Sequence, residues 1–454
     1  MKAKILIVFF FAINTIYSQT GCWKQISAGE NSVTAIKNDG TLWAWGVYYY
    51  GQTTGNYNDY YELTPIQIGT ANDWKQISTG TGHVAGIKTD GTLWTMGFSV
   101  NGELGYDSFF NTGQFAQVGT SNDWKFVVAG KHNTFAIKND NSLWGFGLNE
   151  YGQLGIGNNI NTSTPTQIGN NDWKEVMTST VHTVAIKNNG TLWTWGRNDF
   201  GQLGNNNSSD TNLPIQVGYS TDWKHCVAAY KHTLCIKNDG TLWAFGQNIH
   251  GVFGNGNTYN SSVPIQIGNE NNWKQIHSNF VHVIAKKNNN SIWLWGYNIN
   301  GQLGNGNNIN SSYPIQLGNS SYLEMSAGGS NSYVIDINGS LLGWGSNFYG
   351  NIGNNSLVDS NIPITINCPT LETENYNFNE VIVYPNPIED FLFVKGLNEE
   401  YKEYELYDIQ GRLIKTGNLN DENNNIDVSK LLKGTYILKV FSENIFIIKK
   451  FNKK

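Results

Sequence analysis

Four histidines, His83, His182, His232 and His282, each stand five residues ahead of a lysine, and they are the first residues to test for chemistry. An imidazole titrates near neutrality and can serve as general base, proton shuttle or metal ligand. Their recurrence argues for structure instead. A catalytic constellation breaks a repeat, whereas a hydrogen bond that every unit needs obeys it. Ser32, Asn133 and Asn331 fill the same column elsewhere. A metal site needs three or four converging ligands, which residues issued one per unit supply only by lining a central channel. We therefore expect the histidines to tie strands of the repeat together, and we expect no catalytic residues, no metal and no cofactor. The chain has no nucleophile elbow, HExxH, Walker loop or CxxC. Glu103, Glu150 and Asp199 lie in loops without paired spacing.

Residues that depart from the repeat are the better guide to function. The position just before each GQLG-like motif holds Tyr50, Asn101, Tyr151, Phe200, His250, Asn300 and Tyr349 in turn. The first two units add aromatic loops that carry Tyr48, Tyr49, Tyr60, Tyr61, Phe109 and Phe110. Aromatics on a rigid scaffold suit recognition of protein or sugar; the alternative is that some tuck back between units. The candidate binding residues are Tyr48, Tyr49, Tyr50, Tyr60, Tyr61, Phe109, Phe110, Tyr151, Phe200, His250 and Tyr349.

The elements that position them follow from a period of about fifty residues, seen seven times between Trp23 and Asn367. An opening column runs Trp23, Trp74, Trp124, Trp173, Trp223, Trp273, Tyr322, and a middle one Trp43, Trp94, Trp144, Trp193, Trp243, Trp293, Leu342. Two residues on, a third runs Trp45, Met96, Phe146, Trp195, Phe245, Trp295, Trp344, and the three columns hold all 16 tryptophans. WKQIS and TLWTWG are short runs rich in β-branched and aromatic residues. NDG or NNG between AIK and TLW marks a tight hairpin, because these pairs tolerate positive φ. PIQIG opens on a proline, which suits a strand start or an edge. Each unit thus supplies about four short strands, one blade, and seven blades close into a propeller that leaves little exposed edge.

GQLG with an upstream W-x-W-G and a histidine before a buried strand resembles the regulator of chromosome condensation repeat. The motif is unaltered at Gly152–Gly155, Gly201–Gly204 and Gly301–Gly304, and becomes GELG at Gly102, GVFG at Gly251, GNIG at Gly350 and GQTTG at Gly51. The resemblance implies an all-β seven-bladed propeller and leaves function open.

Met1–Ser18 reads as a signal peptide: Lys2 and Lys4, an apolar run, then a small residue. Residues 19–368 form the propeller and 369–379 a polar linker. Residues 380–454 alternate apolar positions with glycine turns, as a small Ig-like β-sandwich does. Within them Tyr384-Pro385-Asn386-Pro387, Gly411-Arg412, Gly434 and Tyr436 closely resemble the hallmarks of the type A C-terminal sorting domain of the Por, or type IX, secretion system of Bacteroidetes. That resemblance implies export across both membranes of a Gram-negative envelope, with the secretion machinery as partner.

Charged residues make up 14% of the chain and net charge is -6. A duplex binder would carry a basic face, so no nucleic acid is expected; the recurrent Lys37, Lys88, Lys138, Lys187, Lys237 and Lys287 read as solvated strand ends. Cys22 and Cys368 occupy places three positions apart in the repeat frame of a closed ring, within reach of a disulfide that clasps it. Cys226 and Cys235 take buried positions on neighbouring strands, where two free thiols are expected ahead of a cross-strand bridge. The reading is a monomeric, exported binding or adhesion module for a protein or glycan at the cell surface or in the medium. A secreted hydrolase or lyase on the same scaffold, or an enzyme-inhibitor propeller, is the alternative.

Overall fold

The computed structural model describes residues 21–47, 61–369, 382–395, 403–419, 425–441 and 446–454. The signal-peptide span and Tyr48, Tyr49, Tyr50 and Tyr60 lie outside them, as does the linker except Pro369. The chain divides into two units, Met1–Pro369 and Thr370–Lys454.

In the first unit, seven consecutive segments each fold into a four-stranded antiparallel sheet with its strands in sequence order. The fourth blade shows the plan: Trp173–Thr178, His182–Lys187, Leu192–Gly196 and Thr211–Gln216. The second and third strands meet at Asn-Gly, where Gly190 takes φ +80°, a region an L side chain avoids. Asn189 Oδ1 accepts from Thr191 N and Oγ1 at 3.1 and 2.7 Å, and Trp193 Nε1 donates to Thr191 Oγ1 at 2.9 Å. The turn and the middle tryptophan are thus locked together through three alternate residues, Asn189, Thr191 and Trp193.

The core lies between blades. Phe135, Ile137, Leu143 and Leu154 of the third blade pack with Trp173, Val176, Ala185 and Trp195 of the fourth. The joint between the last blade and the first is built the same way, Tyr333, Ile335 and Leu341 against Trp23, Val33 and Trp45. The opening and third tryptophan columns are buried, whereas most of the middle column is only half-buried.

The lysine column is not solvated. Lys187 Nζ sits 4.8 and 4.3 Å from the Trp173 and Trp193 ring centres and 3.0 Å from Asp172 Oδ2. Lys88, Lys138, Lys237 and Lys287 repeat the clamp with Asp73, Asp123, Asp222 and Glu270. The half-exposed tryptophan face and the acid before the opening tryptophan supply the cation with partners. In the first blade Cys22 takes the acid's place, and the Lys37 ammonium donates to the Pro369 carbonyl instead.

Both cysteine pairs are disulfides. Cys22–Cys368, with Cα atoms 6.2 Å apart, joins the two ends of the ring. Cys226–Cys235, with Cα atoms 4.1 Å apart, corrects the expectation of free thiols: the two residues are directly opposed on adjacent antiparallel strands, the register that brings Cβ atoms closest.

The second unit has a four-stranded sheet (Leu413–Asn418, Glu403–Asp408, Gly434–Phe441, Phe446–Lys453) and a three-stranded one (Ile382–Tyr384, Phe391–Lys395, Asn425–Asp427). They share a core that includes Ile388, Leu392, Tyr404, Leu406, Ile426, Leu438 and Phe451.

Candidate functional site

Antiparallel strands in sequence order send the first and third connections of every blade to the same face. The long third connection, which carries the GQLG motif, is held from inside by a buried asparagine. Asn198 Nδ2 donates to the Asn207 and Ser209 carbonyls at 3.0 and 3.2 Å, while its Oδ1 accepts from Leu203 N at 2.9 Å. Asn149, Asn248, Asn298 and Asn347 do the same work in their blades. This column escaped the sequence reading; its signal was an Asn three places before GQLG. The motif also joins blades, since Trp195 Nε1 and Thr183 Oγ1 of the fourth blade donate to the Gln153 carbonyl of the third, both at 2.8 Å.

Four of the expected binding residues on this face meet a side chain of the next blade. Tyr151 lies under Arg197, 4.6 Å from ring centre to Cζ, and Phe200 under Lys231 at 4.3 Å. His250 meets Tyr297 with the rings tilted, at 4.8 Å between centres, and Tyr349 meets Phe348 at 4.8 Å and Tyr61 at 6.4 Å. Tyr151, Phe200, His250 and Tyr349 are half-buried, while Phe109 and Phe110 are exposed.

Exposure picks out a further column, eight residues beyond the first glycine of the motif. Phe110, Ile160, Tyr259, Ile309 and Val358 are 81, 71, 79, 72 and 73% exposed. An inner column of exposed Val100, Ile249, Ile299 and Phe348 runs beside it and turns acidic at Glu150 and Asp199. The fifth, sixth and seventh blades, successive in the ring, therefore each present an apolar pair, as does the second, whereas the third sets Glu150 beside Ile160 and the fourth is polar.

The four recurrent histidines join neighbouring blades through Nε2, and His182 Nδ1 also meets Ser179 Oγ of its own blade at 3.1 Å. His83, His182 and His282 Nε2 meet Thr134 Oγ1, Thr233 Oγ1 and Ser332 Oγ at 2.8, 2.9 and 3.0 Å, and His232 Nε2 meets Ser278 Oγ at 3.3 Å. Burial pushes their imidazoles down to about 4, 3, 4 and 3 in that order, so they stay neutral.

The first strands surround a central cavity of about 670 Å³. Their third residues line it: Gln25, Gln76, Phe126, Glu175, His225, Gln275 and Glu324. Gln25 brackets the next blade's strand, donating to Ile77 O at 3.1 Å and accepting from Ile77 N at 3.2 Å, and Gln76 repeats this on Val127. The opposite side is ionisable. His225 Nδ1 lies 2.5 Å from Glu175 Oε1, and its Nε2 donates to Ile276 O at 2.9 Å. Burial alone would lower the His225 imidazole, but Glu175 and the carbonyl hold it above its ordinary value. Lys286 stands where the six other blades carry Ile36, Ile87, Ile137, Ile186, Ile236 and Ile335. Its Nζ donates to Leu323 O at 2.6 Å; burial lowers it, opposed by Glu324. Burial raises Glu324, opposed by Lys286. Burial pushes His277 down to about 3, and the charges of His225 and Lys286 add to the effect.

A family profile described as an RCC1-like domain matches residues 13–264, more than half of the sequence. The chain belongs to the RCC1-like domain family. An RCC1 repeat profile also matches residues 289–335, and a secretion system C-terminal sorting domain matches residues 382–454. Among curated proteins, the Ultraviolet-B receptor UVR8 of Arabidopsis thaliana is 32% identical over 83 residues, 18% of this chain and 19% of the receptor. The RCC1-like chain thus matches about a fifth of that relative's length. Human WBSCR16 superimposes with a TM-score of 0.64 at 18% identity, covering 72% of this chain and 94% of that one. Prp20p from Saccharomyces cerevisiae gives 0.65 at 14%, covering 80 and 90%. Both share the fold. The sorting domain marks this RCC1-like protein for export, to secretion or to cell-surface attachment through the type IX machinery.

In the sorting domain the expected motif residues hold turns and strand ends. Asn386 Oδ1 accepts from Asn452 N at 2.9 Å, and Arg412 Nε meets Asp408 Oδ2 at 2.6 Å across the turn where Gly411 takes φ +79°. Tyr384 stacks on Phe393, with Pro385 and Pro387 in the turn that follows; Gly434 opens a strand, and Tyr436 donates to Leu432 O at 2.9 Å.

Proposed function

We propose that this exported propeller is a binding module that docks a protein partner on its GQLG-loop face, through the apolar sector of the fifth to seventh blades. The observation that carries this reading is the exposed column Tyr259, Ile309 and Val358 beside Ile249, Ile299 and Phe348. Loops on a soluble domain do not need large apolar residues in water, and contiguous patches of them mark interaction surfaces. Each loop is pinned by its asparagine, so the sector is presented rigidly, which lowers the entropy lost on binding. The structure of Prp20p is described with its binding to Gsp1p and histones, both proteins. Charged substitutions at exposed sites leave stability almost unchanged. Screening the full chain against surface and extracellular protein arrays should identify a partner whose binding is lost in Ile309→Asp and Phe348→Asp. Unaltered binding by both variants defeats the reading, and turnover of a polysaccharide by the purified chain would favour a hydrolase or lyase.

A further inference from the structure

The channel carries an asymmetry that the blade joints do not require. Between the first and third blades, the joint across the channel is made by Gln25, Gln76, Ser27 and Ser78, all of which bond the neighbouring backbone. Around the fifth and sixth blades three basic residues gather. His225 stands in a column of Gln25, Gln76 and Gln275 that is otherwise Phe126, Glu175 and Glu324. His277 stands in one of Ser27, Ser78 and Ser326 that is otherwise Val128, Met177 and Val227, and Lys286 in one that is isoleucine in every other blade. Each change adds a basic group, and each is set in or directly behind the channel wall. Burying a lysine where an isoleucine would serve is unfavourable for folding, so the change calls for a role beyond the joint.

We propose that this wall of the channel is a binding site for a carboxylate-bearing small molecule, received by His277 and Lys274 with Lys286 behind them. The three acids that line the cavity each have a counterpart: Glu30 meets Lys131 and Thr81, Glu175 meets His225, and Glu324 feels the charge of Lys286. Among the described residues, Lys274 reaches only the neutral Asn290 amide, at 3.2 Å, and neither Lys274 nor Lys224 forms an ion pair. The groups left to receive a ligand are therefore basic, with the Gln275 amide beside His277 at 3.3 Å as a further donor. After burial, His225 and Lys286 both push the His277 imidazole down, an effect that a carboxylate placed against it would offset. A planar carboxylate accepts two or more such donors at once. The cavity of about 670 Å³ lies within the roughly 300–1,000 Å³ typical of small-molecule sites.

The test is calorimetric titration of the full chain at low salt with three probes: citrate, an oligogalacturonate and a glutamate-rich peptide. They distinguish a free acid, a sugar-acid chain and acidic side chains as the source of the carboxylate. At least one should bind in the micromolar range. His277→Ser and Lys286→Ile install residues that other blades already carry at those places, so both variants should fold, with thermal melts to check. Each should weaken binding tenfold or more, while Ile309→Asp and Phe348→Asp, on the docking face, bind like the parent. Bound probe should also raise the His277 pKa read by imidazole nitrogen NMR. No binding by any probe, or parent-like binding by both channel variants, overturns the site and leaves the protein-docking face untouched.

Discussion

His182 and His225 are both removed from bulk water, yet their neighbours move their pKa values in opposite directions. His182 meets a hydroxyl at 2.9 Å and its pKa is pushed down to about 3, whereas His225 faces the Glu175 carboxylate at 2.5 Å and is raised. The sign of the pH dependence follows. His83, His182, His232 and His282 have folded pKa values of about 4, 3, 3 and 4, against about 6.5 in the unfolded chain. The unfolded chain then binds more protons than the fold between those limits, so the stability they contribute is complete above pH 6.5. It is lost as pH falls toward 4 and below, each histidine costing about 1.4 kcal/mol per pH unit within its window. His225 acts in the opposite sense, losing its contribution as pH rises, and is outnumbered. Thermal melts between pH 7.5 and 4.5 should show a steady drop beginning near 6.5, flattened in His182→Gln, whose amide still reaches Thr233. A melting temperature independent of pH across that range contradicts the assignment. The recurrent histidines were legible because they recur; the channel histidines were not, because a residue that breaks a column looks like drift until the column is known to line a cavity.

At the scale of the element, local chemistry read correctly and inter-element chemistry did not. NDG turns, the W-x-W strand and the proline-led outer strand are decided within a few residues, so their types suffice. The lysine column was misjudged as solvated because its partners come from two strands and the preceding connection, which no single window contains. Its test is Lys187→Met, which keeps the aliphatic stem and removes the charge. The loss of two ring faces and Asp172 should cost about 1–2 kcal/mol by chemical denaturation, since partly desolvated cation–π contacts carry about that much; no measurable change would reduce the clamp to surface decoration. The asparagine-braced loop makes a sharper case. Asn198→Asp replaces a donor by an acceptor facing the Asn207 and Ser209 carbonyls at 3.0 and 3.2 Å. Turning a satisfied buried donor into an oxygen-on-oxygen contact should destabilise by about 1–3 kcal/mol. A loop tolerant of aspartate at neutral pH would mean the asparagine column reflects composition rather than bracing.

The whole propeller was legible from its period, since one blade cannot bury both faces and seven must close. How the ring closes was legible only in part. Every blade is one continuous segment in strand order, so no strand from one end of the chain completes the blade of the other. Closure rests on the ordinary joint and a few bonds that span it: Ala28 N to Ser326 Oγ at 3.0 Å, Trp45 Nε1 to Asn351 O at 2.8 Å, and Asn351 Nδ2 to Asn31 O at 2.6 Å. The tryptophan bond repeats that of Trp195 to Gln153 O, but the seventh blade carries Glu324 where Gln25 and Gln76 bracket the next strand, and thermal opening would start at the one joint the chain does not cross. Cys22–Cys368 supplies the missing covalent link there, replacing the acid of the lysine clamp, while Cys226–Cys235 staples two strands already paired. The two bridges enclose 346 and 9 residues of sequence separation, for which the chain-entropy estimate gives about 6 and about 2.5 kcal/mol, both upper expectations. Cys368→Ser should therefore lower the melting temperature more than the double variant Cys226→Val with Cys235→Ala, which installs residues that other blades carry in those columns. The Cys368→Ser protein should also show faster hydrogen exchange at the joint of the first and seventh blades before it does elsewhere. A smaller loss in Cys368→Ser than in the double variant, or exchange that begins at another joint, would show that packing alone holds the ring closed.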